Sequence, residues 1–166
     1  MKLVSFTPET SASAWQPIGD GIMGGRSSGA IACPETGVGE FHGTVRLDNG
    51  GGFASLKMDL PQAIDASGSA GIEFRALGDG RTYKVGLRNS VDRRSIVYQH
   101  SFTPPTGEWG HIRLPFSDFT PTWRGKTVSE AGPLDVHQIA SLSLFVSGRQ
   151  AGEFLLRMGD WRLLLK

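Results

Sequence analysis

The sequence predicts an antiparallel β-sandwich of jelly-roll type, and three observations lead to it. Apolar and polar residues alternate with period two in segment after segment; Gly, Pro and Asp clusters separate those segments; and no stretch carries a sustained helical period. About nine or ten short strands so spaced belong to an all-β architecture. The first candidates in chain order are Leu3 to Phe6, Gly39 to Leu47 and Phe53 to Leu60. Ile72, Phe74 and Ala76 then alternate with Glu73 and Arg75. Tyr83, Val85 and Leu87 alternate with Lys84, Gly86 and Arg88. Ile96, Tyr98, His100 and Phe102 share one parity, and Trp109, Ile112 and Leu114 mark a strand that ends at Pro115. Leu142, Leu144 and Val146 alternate with serines and Phe145. The last segment runs from Glu153 to Leu165, with room for a bend at Gly159. Turn signals at Gly78-Asp79-Gly80, Pro104-Pro105 and Gly148 divide these runs, and short helical turns are expected only at Phe116 to Phe119 and Leu134 to Gln138.

Size and charge set the class. A chain of 166 residues buries about 70% of its unfolded surface, enough for a full core without disulfide or metal, and the sequence reads as one domain over 1–166. With 17 basic and 16 acidic residues the net charge is +1, so no global field argues for nucleic acid or a membrane surface. Cys33 is the single cysteine, which excludes an internal disulfide and a multi-cysteine metal site; it reads as a small buried or loop residue. The N-terminus lacks an apolar core of the kind a signal peptide needs, and no apolar run approaches about 18 residues. A cytoplasmic, untargeted protein is expected.

The densest local feature is Trp15 to Gly29, WQPIGDGIMGGRSSG, with five glycines in fifteen residues. Gly19 to Gly24 fits the dinucleotide-binding glycine pattern, which requires a strand before it and a helix after it. Pro17 breaks the segment before it, and Gly25-Arg26-Ser27-Ser28-Gly29 does not start a helix. The same five residues fit G-x-S-x-G, but that elbow sits between a buried strand and a helix. Context removes both chemistries and leaves a structured loop or strand connection.

Other catalytic patterns are weak. His42, His100, His111 and His137 show no paired-ligand spacing, so a zinc site would have to be assembled by the fold alone. Asp20, Asp48, Asp79, Asp118 and Asp160 are candidate acids and bases for sugar chemistry, although aspartate beside glycine is commonly a turn residue; Asp160 is the carboxylate to consider for a bound calcium. The basic residues Arg75, Arg81, Lys84, Arg88, Arg93 and Arg94 fall close together. Arg75, Lys84 and Arg88 lie on the polar parity of successive strands; if those strands are neighbours, they share a face with Glu73 and Gln99. That face either holds an anionic partner, a sugar or an RNA backbone, or is a solvated surface of cross-strand ion pairs. Trp109, Trp123 and Trp161 read as core or loop anchors.

Several motifs in register extend through nearly the whole chain: Asp20 to Gly29 (DGIMGGRSSG), Phe41-His42-Gly43, Asn49 to Ser55 (NGGGFAS), Arg75 with Gly78-Asp79-Gly80-Arg81-Thr82-Tyr83, Tyr98-Gln99, and Trp109 through Pro115-Phe116-Ser117-Asp118-Phe119 to Arg124-Gly125. In these the chain resembles the complex I intermediate-associated protein 30 family. The resemblance implies a galactose-binding-like jelly roll, similar to carbohydrate-binding modules, with no catalytic residues; no cofactor or metal is expected, a structural calcium being left open. Mitochondrial members of that family act as assembly chaperones for respiratory complex I; plastid relatives carry the domain beside a reductase-like domain. The chain looks like a compact bacterial-type member. The signature positions here are Asp20, Met23, Gly24, Gly25, Arg26 and Ser27, then Asn49, Gly51, Gly52 and Phe53, then Arg75, Asp79, Gly80, Trp109, Phe116 and Arg124. One departure stands out, because the family often has two asparagines before the paired glycines and the second here is Gly50.

The expected function is therefore a non-enzymatic binding module, a protein-interaction or assembly domain for a larger complex, with a respiratory complex among the candidates. A carbohydrate-binding module is the alternative, and behind it stand an RNA-binding domain and a hydrolase built on Ser27. The binding residues expected on one surface are Asp20, Met23, Gly24, Gly25, Arg26, Ser27, Asn49, Gly51, Gly52, Arg75, Asp79 and Arg124. Arginines there supply bidentate donors to a partner, or they and Asp79 pin loops inside the domain.

Overall fold

A computed structural model describes residues 1–9, 11–17, 28–47 and 52–166. The described residues form a jelly-roll sandwich of two sheets in which every pairing is antiparallel. The strands are β1 (Lys2–Val4), β2 (Gln16–Pro17), β3 (Ser28–Glu35), β4 (Val38–Val45), β5 (Ala54–Ile64), β6 (Ser69–Leu77), β7 (Tyr83–Arg88), β8 (Val97–Phe102), β9 (Gly110–Pro115), β10 (Thr120–Trp123), β11 (Lys126–Thr127), β12 (Ile139–Val146), β13 (Gly152–Gly159) and β14 (Trp161–Leu165). Among the described residues helix is confined to α1 (Ser11–Ala14) and 3-10 turns at Phe116–Asp118 and Ser129–Ala131.

The first sheet runs β1-β14-β6-β13-β4-β3, with β9 on the other edge of β6; the second runs β11-β10-β8-β7-β12-β5-β2. β13 and β14 lie one after the other along the same edge of β6. Asp160 joins them and accepts the Phe6 amide at 2.9 Å and Lys2 Nζ at 3.0 Å, so the carboxylate fixes the bend between the two strands.

The period-two pattern decides which way each strand faces. Tyr83, Val85 and Leu87 of β7, with Leu142, Leu144 and Val146 of β12, are fully buried between the sheets. Ile72, Phe74 and Ala76 of β6 meet them from the first sheet within the same hydrophobic cluster. Trp161 lies flat on Phe74 at 5.1 Å between ring centroids and edge-on to Trp15 at 5.8 Å.

Some elements differ from the sequence reading. Residues 28 and 29, expected in a loop, begin β3, which pairs along β4. Its Gly29, Ala30 and Ala32 carry little strand propensity; Phe41 of β4 covers Gly29 instead, where a Cβ would come within 3.1 Å of the ring. Pro34 is tolerated because β3 is an edge. β5 continues past Leu60 through Pro61 to Ile64, with an irregular register opposite Ile139 and Ser141, as a proline without an amide donor requires. The expected helical turn at 134–138 is a tight turn instead, in which Asp135 Oδ1 accepts the His137 amide.

Close approach of β6 and β9 demands Gly71. A Cβ there would stand 2.2 Å from Leu114 O, and backbone cannot move aside cheaply. Gly71→Ala is expected to destabilise the fold by about 2 kcal/mol, measured as a shift of the denaturant midpoint.

Candidate functional site

The outer face of the second sheet holds polar side chains that are nevertheless buried. Along β5 this parity carries Ser55, Lys57 and Asp59; register sets Asp59 beside Ser141, and Lys57 beside Ser143, on β12. On the far side of β12, Ser141 pairs with Arg88 and Ser143 with Gly86 of β7. Gly86 in turn faces Gln99 of β8. Lys57 is 6% exposed and Arg88 5%, while Ser141 and Ser143 are fully buried.

The 89–96 connection between β7 and β8 reaches this row at Lys57. Lys57 Nζ donates to the Val91 carbonyl, so this connection crosses β12 to reach β5 rather than staying over its own two strands. Asn89 Nδ2 donates to Asp135 O at 2.7 Å, and the Asp135 amide donates to Asn89 Oδ1 at 3.1 Å, which anchors the root of the strap. Its tip, residues 90–94, is exposed.

Within the layer Lys57 pairs with Asp59 at 2.9 Å, and Arg88 NH1 donates to Ser143 Oγ at 2.8 Å. Arg88 Nε and Ser141 Oγ are buried with no hydrogen-bond partner among the described residues. Burial holds the Arg88 pKa below the ordinary guanidinium value; the charge of Asp59 opposes that shift and the charge of Arg93 reinforces it.

A second polar cluster closes one end of the sandwich. Asp79 Oδ1 accepts the Arg81 amide at 3.1 Å and Tyr83 Oη at 3.0 Å. Oδ2 accepts the Leu155 amide at 2.9 Å and Arg81 NH1 at 3.0 Å. Burial pushes the Asp79 pKa up, but the Leu155 and Arg81 amides, the Tyr83 hydroxyl and the Arg81 charge outweigh it, so the carboxyl lies below its usual range. Arg81 extends the cluster to the carbonyls of Gln150, at 3.3 Å from Nε, and Ala151, at 2.9 Å from NH2. The same 147–151 turn reaches Gly52, whose carbonyl accepts the Arg149 amide at 3.1 Å. Gly52 adopts φ +119°, and a Cβ there would meet Arg149 Cγ at 3.0 Å.

Of the residues expected to share a binding surface, Asp20, Met23, Gly24, Gly25, Arg26, Ser27, Asn49 and Gly51 lie outside the described residues. Gly52 and Asp79 are brought to one end through the 147–151 turn. Arg75 is not with them: it is exposed on the outer face of the first sheet, in register with His111. Arg124 tips the β10–β11 hairpin at φ 49°, its guanidinium 5.5 Å from the Trp123 ring.

The expected basic face is corrected in the same way. Arg75 on β6 and Lys84 and Arg88 on β7 do not share a surface, because the chain crosses from one sheet to the other between these strands. Gln99 does lie on the face of Lys84 and Arg88. Lys57, Ser141 and Ser143 were missed; the visible signal is the polar parity of Ser55-Lys57-Asp59 and Ser141-Ser143, which reads as solvated surface until a distant segment folds over it.

Among the described residues no three His, Cys, Asp or Glu side chains converge as metal ligands, and no helix is long and apolar enough to cross a membrane. A shallow cleft of about 150 Å³, lined by Leu77, Gly78, Asp79, Gly107, Leu155 and Arg157, opens beside the Asp79 cluster.

A family model described as Complex I intermediate-associated protein 30 matches residues 4–158. The chain is similar to Complex I intermediate-associated protein 30, mitochondrial, of Mus musculus, at 30% identity over 89 residues, covering 51% of this chain and 27% of that protein. The Neurospora crassa protein of the same name is 25% identical over 132 residues, covering 70% of this chain and 48% of that one. The chain thus spans between about a quarter and a half of these relatives. Among solved structures, the family 11 carbohydrate-binding module of Clostridium thermocellum cellulase Lic26A-Cel5E superposes with a TM-score of 0.71 at 20% identity, covering 100% of this chain and 94% of the module.

Proposed function

Because this chain belongs to the Complex I intermediate-associated protein 30 family, we propose that it is a non-catalytic binding module whose partner is a protein, acting in the assembly of a larger complex. The observation that carries this reading is the extent of the family match, residues 4–158, which runs from the end of β1 through nearly all of β13. The longer relatives are named for association with a complex I intermediate, and the parts they share with this chain cover 51% and 70% of it.

A carbohydrate-binding function is the second reading, favoured by likeness to a family 11 module, one of whose structures is in complex with a β-1,3-1,4-mixed-linked tetrasaccharide. Sugar recognition on a sheet face uses exposed aromatic platforms with polar groups beside them. Among the described residues the exposed aromatic is Trp109, 36% exposed, just before β9. That surface supports a protein partner over a glycan.

Affinity capture of the tagged chain after mild crosslinking in its native cell tests the choice, alongside a glycan array. Recovery of stoichiometric subunits of one multisubunit complex, with no saturable glycan binding, is expected. Saturable glycan binding together with an empty capture would overturn the proposal.

A further inference from the structure

We infer that the buried polar row beneath the 89–96 strap recognises a carboxylate, with Arg88, Lys57 and Ser141 taking an Asp or Glu side chain from an acidic segment of the protein partner. This rests on the protein-partner reading above and names the chemistry of the contact.

The described fold leaves buried polar groups unsatisfied. A buried donor without an acceptor bears its full desolvation penalty, and such groups in a native structure call for a reason. Here two are adjacent: Arg88 Nε and Ser141 Oγ lack partners, and their residues face each other across β7 and β12. Arg88 is 5% exposed and spends NH1 on a neutral hydroxyl, Ser143 Oγ, at 2.8 Å. No carboxylate forms an ion pair with it among the described residues. Apolar packing at such a position would cost the fold nothing in pairing, so an arginine there points to an anion that the described residues do not supply.

Lys57 adds the second cation. It is flanked by Asp59, whose side chain is 50% exposed, and it holds the strap through a neutral carbonyl, that of Val91. A carboxylate exchanged for this carbonyl would replace a neutral acceptor with an ionised one and make the contact an ion pair, with the strap lifting to admit it. The strap's exposed Arg93 and Arg94, with Lys84 on β7, give the face a positive excess over Asp59 and Asp92. Charge complementarity therefore selects an acidic segment. A nucleic-acid backbone fits less well, since Arg75, the basic residue of β6, lies on the opposite sheet.

The test is fluorescence anisotropy with the full chain and a labelled octaglutamate peptide, with octaglutamine as control. Saturable binding of octaglutamate alone is expected, weakened at least tenfold by Arg88→Met and several-fold by Ser141→Ala. The melting temperature of Ser141→Ala should be unchanged or higher, because it removes an unsatisfied buried group, while Arg88→Met, which removes an unsatisfied donor but leaves Ser143 Oγ without its partner, should shift it by only a few degrees. The Arg88 Nε–H resonance of the wild-type chain gives a readout that needs no variant, and it should move on titration with octaglutamate only. Absence of octaglutamate binding, equal affinity in Arg88→Met, or a melting temperature many degrees lower in Ser141→Ala would overturn the site. Displacement by polygalacturonate at lower carboxylate concentration would transfer it to an acidic glycan and equally overturn the proposal. In native-cell capture, partner retention by Arg88→Met overturns the site and leaves the protein-partner reading standing, whereas an empty wild-type capture overturns that reading itself.

Discussion

Trp161→Ala is expected to destabilise the protein by about 4 kcal/mol, the range for truncating a large aromatic in a packed core. Trp161 is fully buried, stacked on Phe74 with 17° between the rings at 5.1 Å, and met edge-on by Trp15 at 5.8 Å. It opens β14 immediately after the Asp160 bend, so its loss hollows the core where the first sheet changes partner along β6. At about 3 °C per kcal/mol for a domain of this size, the melting temperature should fall by roughly 12 °C. A fall under about 4 °C would contradict the packing described. Trp161 Nε1 has no acceptor among the described residues, so Trp161→Phe, which keeps a ring and deletes that donor, should cost less than half as much.

Asp79→Ala is expected to cost about 3 kcal/mol, because one carboxylate satisfies two backbone amides, a buried tyrosine hydroxyl and an arginine. Removing it leaves the Leu155 amide and Tyr83 Oη without their acceptor. The pH dependence follows from the lowered pKa of Asp79. The carboxylate's contribution is fully present above the unfolded value of about 4 and is lost as pH falls through the lower folded value. The stability gap between wild type and Asp79→Asn, read by urea titration, should therefore hold constant from pH 7 to about 5 and shrink below about 4. Burial first, and then the charge and hydrogen bond of Asp79, push the Tyr83 pKa upward, so the hydroxyl remains a donor throughout. A gap that widened in acid would contradict the assignment.

The sandwich was legible because its inner strands are strictly periodic. Tyr83-Val85-Leu87 and Leu142-Leu144-Val146 declare their core parity without help from the rest of the chain. β3 was not legible, since Gly29, Ala30 and Ala32 become a strand only through pairing with β4 and the cover of Phe41. The sequence leaves Asp79 two roles, partner binding or loop pinning, and its four hydrogen bonds tie the 79–83 turn to β13. The buried polar row escaped for a different reason. Lys57, Arg88, Ser141 and Ser143 have the parity of a solvated face but are buried, and the strap that reaches Lys57 follows a path from β7 across β12 that no local pattern encodes. Arg75 misled in the opposite sense, because nearness in sequence to Lys84 and Arg88 concealed a crossing between sheets.

A photo-crosslinking residue placed at Arg93 on the strap, compared with one at Arg75 on the outer face of the first sheet, tests most directly whether this sandwich engages a protein partner through its second sheet. The account predicts that, on irradiation in the native cell, position 93 crosslinks to one discrete protein and position 75 does not. Crosslinking from position 75 alone, or from neither position, would contradict it.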